Sequence, residues 1–184
     1  MFITGLMLGL ALAMDAFCVS FADSLAKPDM KYRQLFLIAF VFGFFQTLMP
    51  LLGSLLIRFV SEYVSSFHPY IKYVAAAVFA LLAFNMLRSA IENETESFAI
   101  TGAGTLIMQG IGTSIDAFSA GFSFYEDTFG QAVVVSLIIG VVTFVLCVAA
   151  LFAGRKAGTL IPRIAKFVGS GIFVFLCIKQ LAGF

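Results

Sequence analysis

The stretch "LALAMDAFCVSF" (10–21) is apolar almost throughout, yet it carries one carboxylate, Asp15. Starting 100 positions later, "GIGTSIDAFSAGF" (110–122) repeats the arrangement around Asp116, which lies 101 positions after Asp15. An ionised acid in the middle of a membrane helix costs roughly 2.5–3.5 kcal/mol on insertion scales. Around the two acids, 61% of the 184 residues are hydrophobic and 11% charged. The mean hydropathy is +1.07. A soluble domain carries about a quarter charged residues, so the chain reads as an integral membrane protein with the lipid bilayer as its bulk partner. A net charge of +1 says nothing about nucleic acid, no long basic stretch suggests it, and no nucleic-acid partner is expected.

About 20 apolar residues cross a bilayer as a helix. Six such spans are predicted: 2–22, 34–57, 69–87, 99–124, 131–153 and 164–181. The first has no basic flank and no cleavage site, so it reads as a retained span and not a signal peptide. Nothing remains for a soluble domain, and 1–184 is predicted to be one transmembrane unit. Eight of the 11 Lys and Arg fall after spans one, three and five. Basic loops stay cytoplasmic, which puts both termini of this multi-pass protein outside. Cys18, Cys147 and Cys177 lie in apolar runs without metal spacing and read as core residues.

"MDAFCVSF" (14–21) aligns with "IDAFSAGF" (115–122), each in the first span of a three-span half. An odd number of spans turns the second half over. The predicted fold class is therefore an all-α polytopic membrane protein with six transmembrane helices. They form two inverted three-helix repeats, about 1–92 and 97–184, a layout that places transport sites at the midplane.

No Lys or Arg lies at the depth of the acids, so an ion pair does not explain them. A protonated, structural Asp is the bland alternative. Two converging carboxylates matched to one divalent cation is the functional one. Thr113 lies one turn before Asp116, and Ser119 one turn after it. In "FGFFQTLMPLLG" (42–53), Pro50 cannot donate to the Gln46 carbonyl, and Gln46 and Thr47 bring side-chain oxygens. Asn85 is a further candidate, as a ligand or as an interhelical hydrogen bond. The predicted metal set is thus Asp15, Asp116, Gln46, Thr47, Thr113, Ser119 and Asn85. Carboxylate, amide and hydroxyl oxygens suit Mg²⁺, Ca²⁺ or Mn²⁺, and Cys18, Met14 or Met49 would tilt the site weakly toward Mn²⁺. His68, the only histidine, reads as a surface residue.

The motifs "MDAF" (14–17), "FGFFQTLMPLLG" (42–53), "TSIDAFSAG" (113–121) and "VGSGIFVFLCIK" (168–179) together resemble the MntP-type manganese efflux pump family, related to the LysE-type exporters. The resemblance covers nearly the whole chain. It implies two inverted three-helix repeats, export of Mn²⁺ from the cytoplasm, and Asp15 and Asp116 as the membrane acids. The chain departs from the pattern at Asp23 and Ser24, where the family usually has Lys-Gly, and at "AFNM" (83–86). Asp23 reads either as a feeder of cations or as a solvated charge. A membrane protein of sporulating bacteria shares the general layout.

The expected activity is secondary active Mn²⁺ export with H⁺ as counter-ion, without a bound cofactor. No GxxxxGK[ST] phosphate loop is present to use ATP. Fe²⁺, Cd²⁺ and Ca²⁺ remain open as ions, and a non-transporting structural protein is the rival from another class. The acids are followed by Ala-Phe, unlike the YD and GxGD motifs of intramembrane aspartyl proteases, so no enzyme is expected. A GxxxG at Gly5–Gly9 suits either a homodimer contact or internal packing.

Overall fold

A computed structural model describes residues 2–27, 29–63, 71–92, 102–124 and 127–155, with 167, 170–172, 174–175 and 177–178 beyond them. His68, the polar run around 93–98 and most of the sixth predicted span lie outside the described residues. Among those described, every regular element is helical. They are α1 (Phe2–Ala26), α2 (Tyr32–Tyr63), α3 (Ile71–Glu92), α4 (Ala103–Gly112), α5 (Ile115–Ala120), a 3₁₀ turn (Gly121–Phe124) and α6 (Phe129–Gly154). Among the described residues, three stretches are long and apolar enough to cross a membrane: Ile3–Leu25, Tyr32–Ser61 and Phe129–Gly154, with mean hydropathies of 1.9, 2.2 and 2.9.

The apolar surface of this chain is sorted by contact rather than by water. Phe36, Phe40, Phe44 and Val141 stand exposed, as lipid-facing side chains do, while Leu12, Phe42 and Ile139 are sealed inside. α6 is the central element and packs most extensively on α1 and α2. It starts on a capping box: Thr128 Oγ1 accepts from the Gln131 N–H at 3.3 Å, and the Thr128 N–H donates to Gln131 Oε1 at 2.7 Å.

Close helix approach follows from small residues at the crossings. A Cβ on Gly43 would lie 2.9 Å from the Gly140 carbonyl oxygen, and one on Gly140 would lie 2.7 Å from that of Gly43. Where α2 meets α5 and the 3₁₀ turn, a Cβ on Gly53 would collide with the Phe118 carbonyl, and one on Gly121 with that of Pro50. Against α3, Ser170 Oγ donates to the Ala83 carbonyl at 3.0 Å and Cys177 Sγ to that of Ala76 at 3.3 Å. The last described residues therefore run antiparallel to α3. Cys18 and Cys147 are buried and unbridged, as expected.

Two arginines tie helix ends to loops. Arg58, near the end of α2, donates through Nη2 to the carbonyls of Phe124 (3.2 Å) and Asp127. Arg155, at the end of α6, donates to the Met30 carbonyl at 2.6 Å and lies 5.4 Å from the Tyr32 ring centre. Each guanidinium satisfies carbonyls that a helix end or loop leaves over.

The fourth predicted span is not one helix. It breaks at Thr113–Ser114, between α4 and α5. The cause is local. Gly110 and Gly112 weaken the helix, and the hydroxyls that follow bond backward and compete with its ladder. Thr113 Oγ1 donates to the Gln109 carbonyl at 2.9 Å and Ser114 Oγ to that of Gly110 at 2.7 Å. Ser114, at φ −115° and ψ 5°, leaves the helical region. The expectation of an unbroken helix over 99–124 is corrected on this point.

Candidate functional site

The break sits one turn before Asp116, and a broken helix in lipid leaves carbonyls that need a donor. Gln46 provides it. Its Nε2 donates to the Thr113 carbonyl at 2.9 Å and to the Leu12 carbonyl of α1 at 3.4 Å. Leu12 is three residues before Asp15, and Thr113 is three residues before Asp116. One amide thus joins the two turns that carry the acids. Both neighbours are carbonyls, so the orientation of the amide is settled by its partners. Its Oε1 is fully buried with no hydrogen-bond partner, and such an oxygen calls for a ligand or a proton donor.

The acids are near neighbours electrostatically: the charge of Asp15 acts on Asp116. Both are half-buried and keep part of their surface open. The Ala117 N–H donates to Asp116 Oδ1 at 2.7 Å, which holds that carboxylate at the start of α5.

The other predicted residues divide. Thr113 is buried at the break. Ser119 is half-buried on α5, with its Oγ donating to the Ile115 carbonyl at 3.2 Å. Thr47 Oγ1 donates to the Gly43 carbonyl at 3.0 Å and lies against Gly140. It therefore stands at the α2–α6 crossing, about 100° around the helix from Gln46. Asn85 is exposed on α3 and is not buried between helices, so the expectation of an interior Asn85 is corrected. Pro50 lies inside a continuous α2, with its own carbonyl closed over by Gly121.

A solvated Asp23 is also corrected. It is 2% exposed, and Gln109 Nε2 of α4 donates to its Oδ1 at 3.2 Å. Sequence reading had no signal for the role of Gln109, because only the packing of α1 on α4 brings the two together. Among the described residues, no group of three or more His, Cys, Asp and Glu forms a metal cluster. A cation held between the acids would complete its shell with neutral oxygens such as Gln46 Oε1.

Gln46→Leu removes the donor shared by Leu12 and Thr113 and leaves the Thr113 carbonyl at the break unmet. The expected cost is about 1–3 kcal/mol, read as a lowered melting temperature of the detergent-purified protein. An unchanged melt would show that the bridge contributes nothing to stability.

Apolar helices of membrane-spanning length define a multi-pass α-helical membrane protein. The chain belongs to the MntP family: the family model described as "Putative manganese efflux pump" matches residues 29–181. Three relatives named "Putative manganese efflux pump MntP" are similar over nearly the whole length. That of Fusobacterium nucleatum subsp. nucleatum is 34% identical over 182 residues, covering 97% of this chain and 98% of its own. That of Saccharophagus degradans is 35% identical over 180 residues, with 96% of each chain covered. That of Methanobrevibacter smithii is 31% identical over 182 residues, with 97% and 96% covered. No solved structure matches the chain.

Proposed function

We propose that this protein is a secondary active exporter of Mn²⁺ in the plasma membrane, not an enzyme, with Asp15 and Asp116 as the centre of its transport site. The observation that carries the reading is the Gln46 amide, which spans the turns bearing two acids that feel each other's charge. The efflux-pump names of the relatives support the cargo. Asp15, Asp116 and Gln46 Oε1 supply the inner ligands, with Thr113 and Ser119 beside them. Thr47, at the α2–α6 crossing, and the exposed Asn85 are left out of that inner set.

The six-span inverted repeat is part of the same proposal, and three sets of contacts support it. Leu12 and Thr113, which share the Gln46 amide, are 101 positions apart, as Asp15 and Asp116 are. Arg58 donates to the Asp127 carbonyl and Arg155 to that of Met30; donors and acceptors are each 97 positions apart. Gly43 and Gly140, also 97 positions apart, face each other where α2 crosses α6. A chain with halves 1–92 and 97–184 related by a two-fold axis in the membrane plane brings such pairs together.

Alternating access then follows as rocking of one half against the other, with the ion entering from the cytoplasm and both termini outside. Empty, two neighbouring carboxylates repel and favour protonation. Two H⁺ replacing one Mn²⁺ hold the charge of the site constant on the return step, which couples export to the proton gradient. The test is Mn²⁺ flux in proteoliposomes with an imposed pH gradient. Uphill Mn²⁺ movement that collapses with a protonophore is expected. Downhill movement indifferent to pH would replace the antiporter with a channel. No Mn²⁺ movement by folded protein would overturn the cargo, with Fe²⁺, Cd²⁺ and Ca²⁺ next in line.

A further inference from the structure

Two contact levels run along α1. Leu12 meets the Gln46 bridge to Thr113, and Asp23 meets Gln109. Residue numbers rise on α1 as they fall on α4, so the two helices are antiparallel. Asp23 lies eight residues beyond Asp15, and Gln109 lies seven before Asp116. At about 1.5 Å per residue, this contact is roughly 11 Å from the acid pair. It lies on the side of the exposed Lys27 and Lys31.

The same positions in the opposite direction are Leu8, seven before Asp15, and Phe124, eight beyond Asp116. They are the 101-residue counterparts of Gln109 and Asp23. Both are buried, at 1% and 4% exposure, in one core cluster with Phe79, Ala117 and Ala120. The acid pair therefore has an apolar plug on one side and a polar pair at the equivalent level on the other.

A buried carboxylate is costly unless its oxygens are satisfied. Asp23 is 98% buried, since only 2% is exposed. Gln109 satisfies Oδ1, while Oδ2 has no hydrogen-bond partner. Lys27, one turn on, is exposed, and its charge acts on Asp23 without covering that oxygen. An apolar seal would need neither group, as Leu8 and Phe124 demonstrate on the other side.

We propose that Asp23 and Gln109 form a second divalent-cation site, an entry stop on the cytoplasmic side of the Asp15–Asp116 pair. Asp23 supplies carboxylate oxygens, and the Gln109 amide, turned over, supplies its carbonyl oxygen. A single carboxylate makes the stop weaker than the inner site, so an ion held there passes inward. The proposal rests on the transport reading above and on the cytoplasmic placement of the Lys27 loop.

The probe is Mn²⁺ itself, titrated into purified protein and followed by loss of the free-ion electron paramagnetic resonance signal. The variant Asp15→Asn/Asp116→Asn is expected to retain one weak Mn²⁺ per chain and to lose it when Asp23→Asn is added. No binding by the first variant above a protein-free blank, or binding that survives Asp23→Asn, overturns the entry stop. In everted membrane vesicles, Asp23→Asn alone is expected to raise the half-saturating Mn²⁺ about tenfold, with the maximal rate kept within about twofold. An unchanged half-saturation also overturns it. Asn keeps an oxygen for Gln109, so an unaltered melting temperature separates ion binding from packing. Uphill flux persisting in Asp15→Asn/Asp116→Asn would instead sink the inner site, a distinct failure.

Discussion

Asp15→Asn and Asp116→Asn are each expected to reduce gradient-driven Mn²⁺ movement by at least about a hundredfold while leaving the protein folded. A unit charge about 4 Å from a monovalent ion is worth roughly 4 kcal/mol at an effective dielectric near 20, and a divalent ion feels twice that. Each ~1.4 kcal/mol is a factor of ten, so even a heavily screened carboxylate is worth two orders of magnitude. Folding is spared for a structural reason. Asn keeps an oxygen at Oδ1, so the Ala117 N–H that now donates to Asp116 at 2.7 Å keeps its acceptor. Removing one of two like charges also relieves repulsion, so the melting temperature is expected to hold or rise. The checks are flux in proteoliposomes and a thermal melt on the same preparations. Transport surviving in both single variants would remove the acids from the site. A collapsed melt would make them structural, which is the bland alternative for a buried Asp.

The second large effect falls on packing. Gly53→Val and Gly121→Val are expected to abolish recovery of monodisperse protein. At both positions the added Cβ meets backbone, the carbonyls of Phe118 and Pro50. Backbone cannot rotate away as a side chain can, so α2 must separate from α5 and the 3₁₀ turn. Overpacking costs about 1–3 kcal/mol where neighbours can give, and more where they cannot. Separating these elements also pulls Gln46 from the Thr113 carbonyl and breaks the bracket around the acids. Gly104→Ala is the matched control, since nothing lies within 4 Å of its Cβ position. It is expected to behave as wild type in size-exclusion chromatography and melting. Normal recovery of Gly53→Val would mean that the helices can part without loss of the fold.

Much was legible in the chain because a bilayer imposes simple rules. Apolar runs of spanning length predicted 2–22, 34–57 and 131–153. The structure extends them to Phe2–Ala26, Tyr32–Tyr63 and Phe129–Gly154, since hydropathy marks the greasy part of a helix and not its capped ends. The pair Asp15 and Asp116 stood out because acids in apolar runs are expensive. Gln46 stood out as an amide beside a proline. The likeness to the MntP family was legible in the same motifs and is borne out over residues 29–181.

Sidedness is not written in the sequence. Thr47 is a candidate for its hydroxyl before Pro50 and Asn85 as a polar group within a span, but polarity does not say which way a helix face points. Thr47 turned to Gly140, and Asn85 is exposed. Asp23 reads in the sequence either as a feeder of cations or as a solvated charge, and its burial removes the second.

The sequence by itself determined that this is a membrane protein, where its apolar runs lie, and that two acids 101 residues apart share a motif. Composition, periodicity and repetition are properties of the chain alone, and lipid rewards them without reference to tertiary partners. Only the tertiary structure decided that the helix before Asp116 ends at Thr113, with its carbonyl taken by Gln46 from another helix. It alone also decided that Asp23 closes on Gln109. Each depends on a donor brought from 67 or 86 residues away. A broken helix or a buried charge is tolerable only once such a partner is in place, and no local pattern announces where that partner will come from.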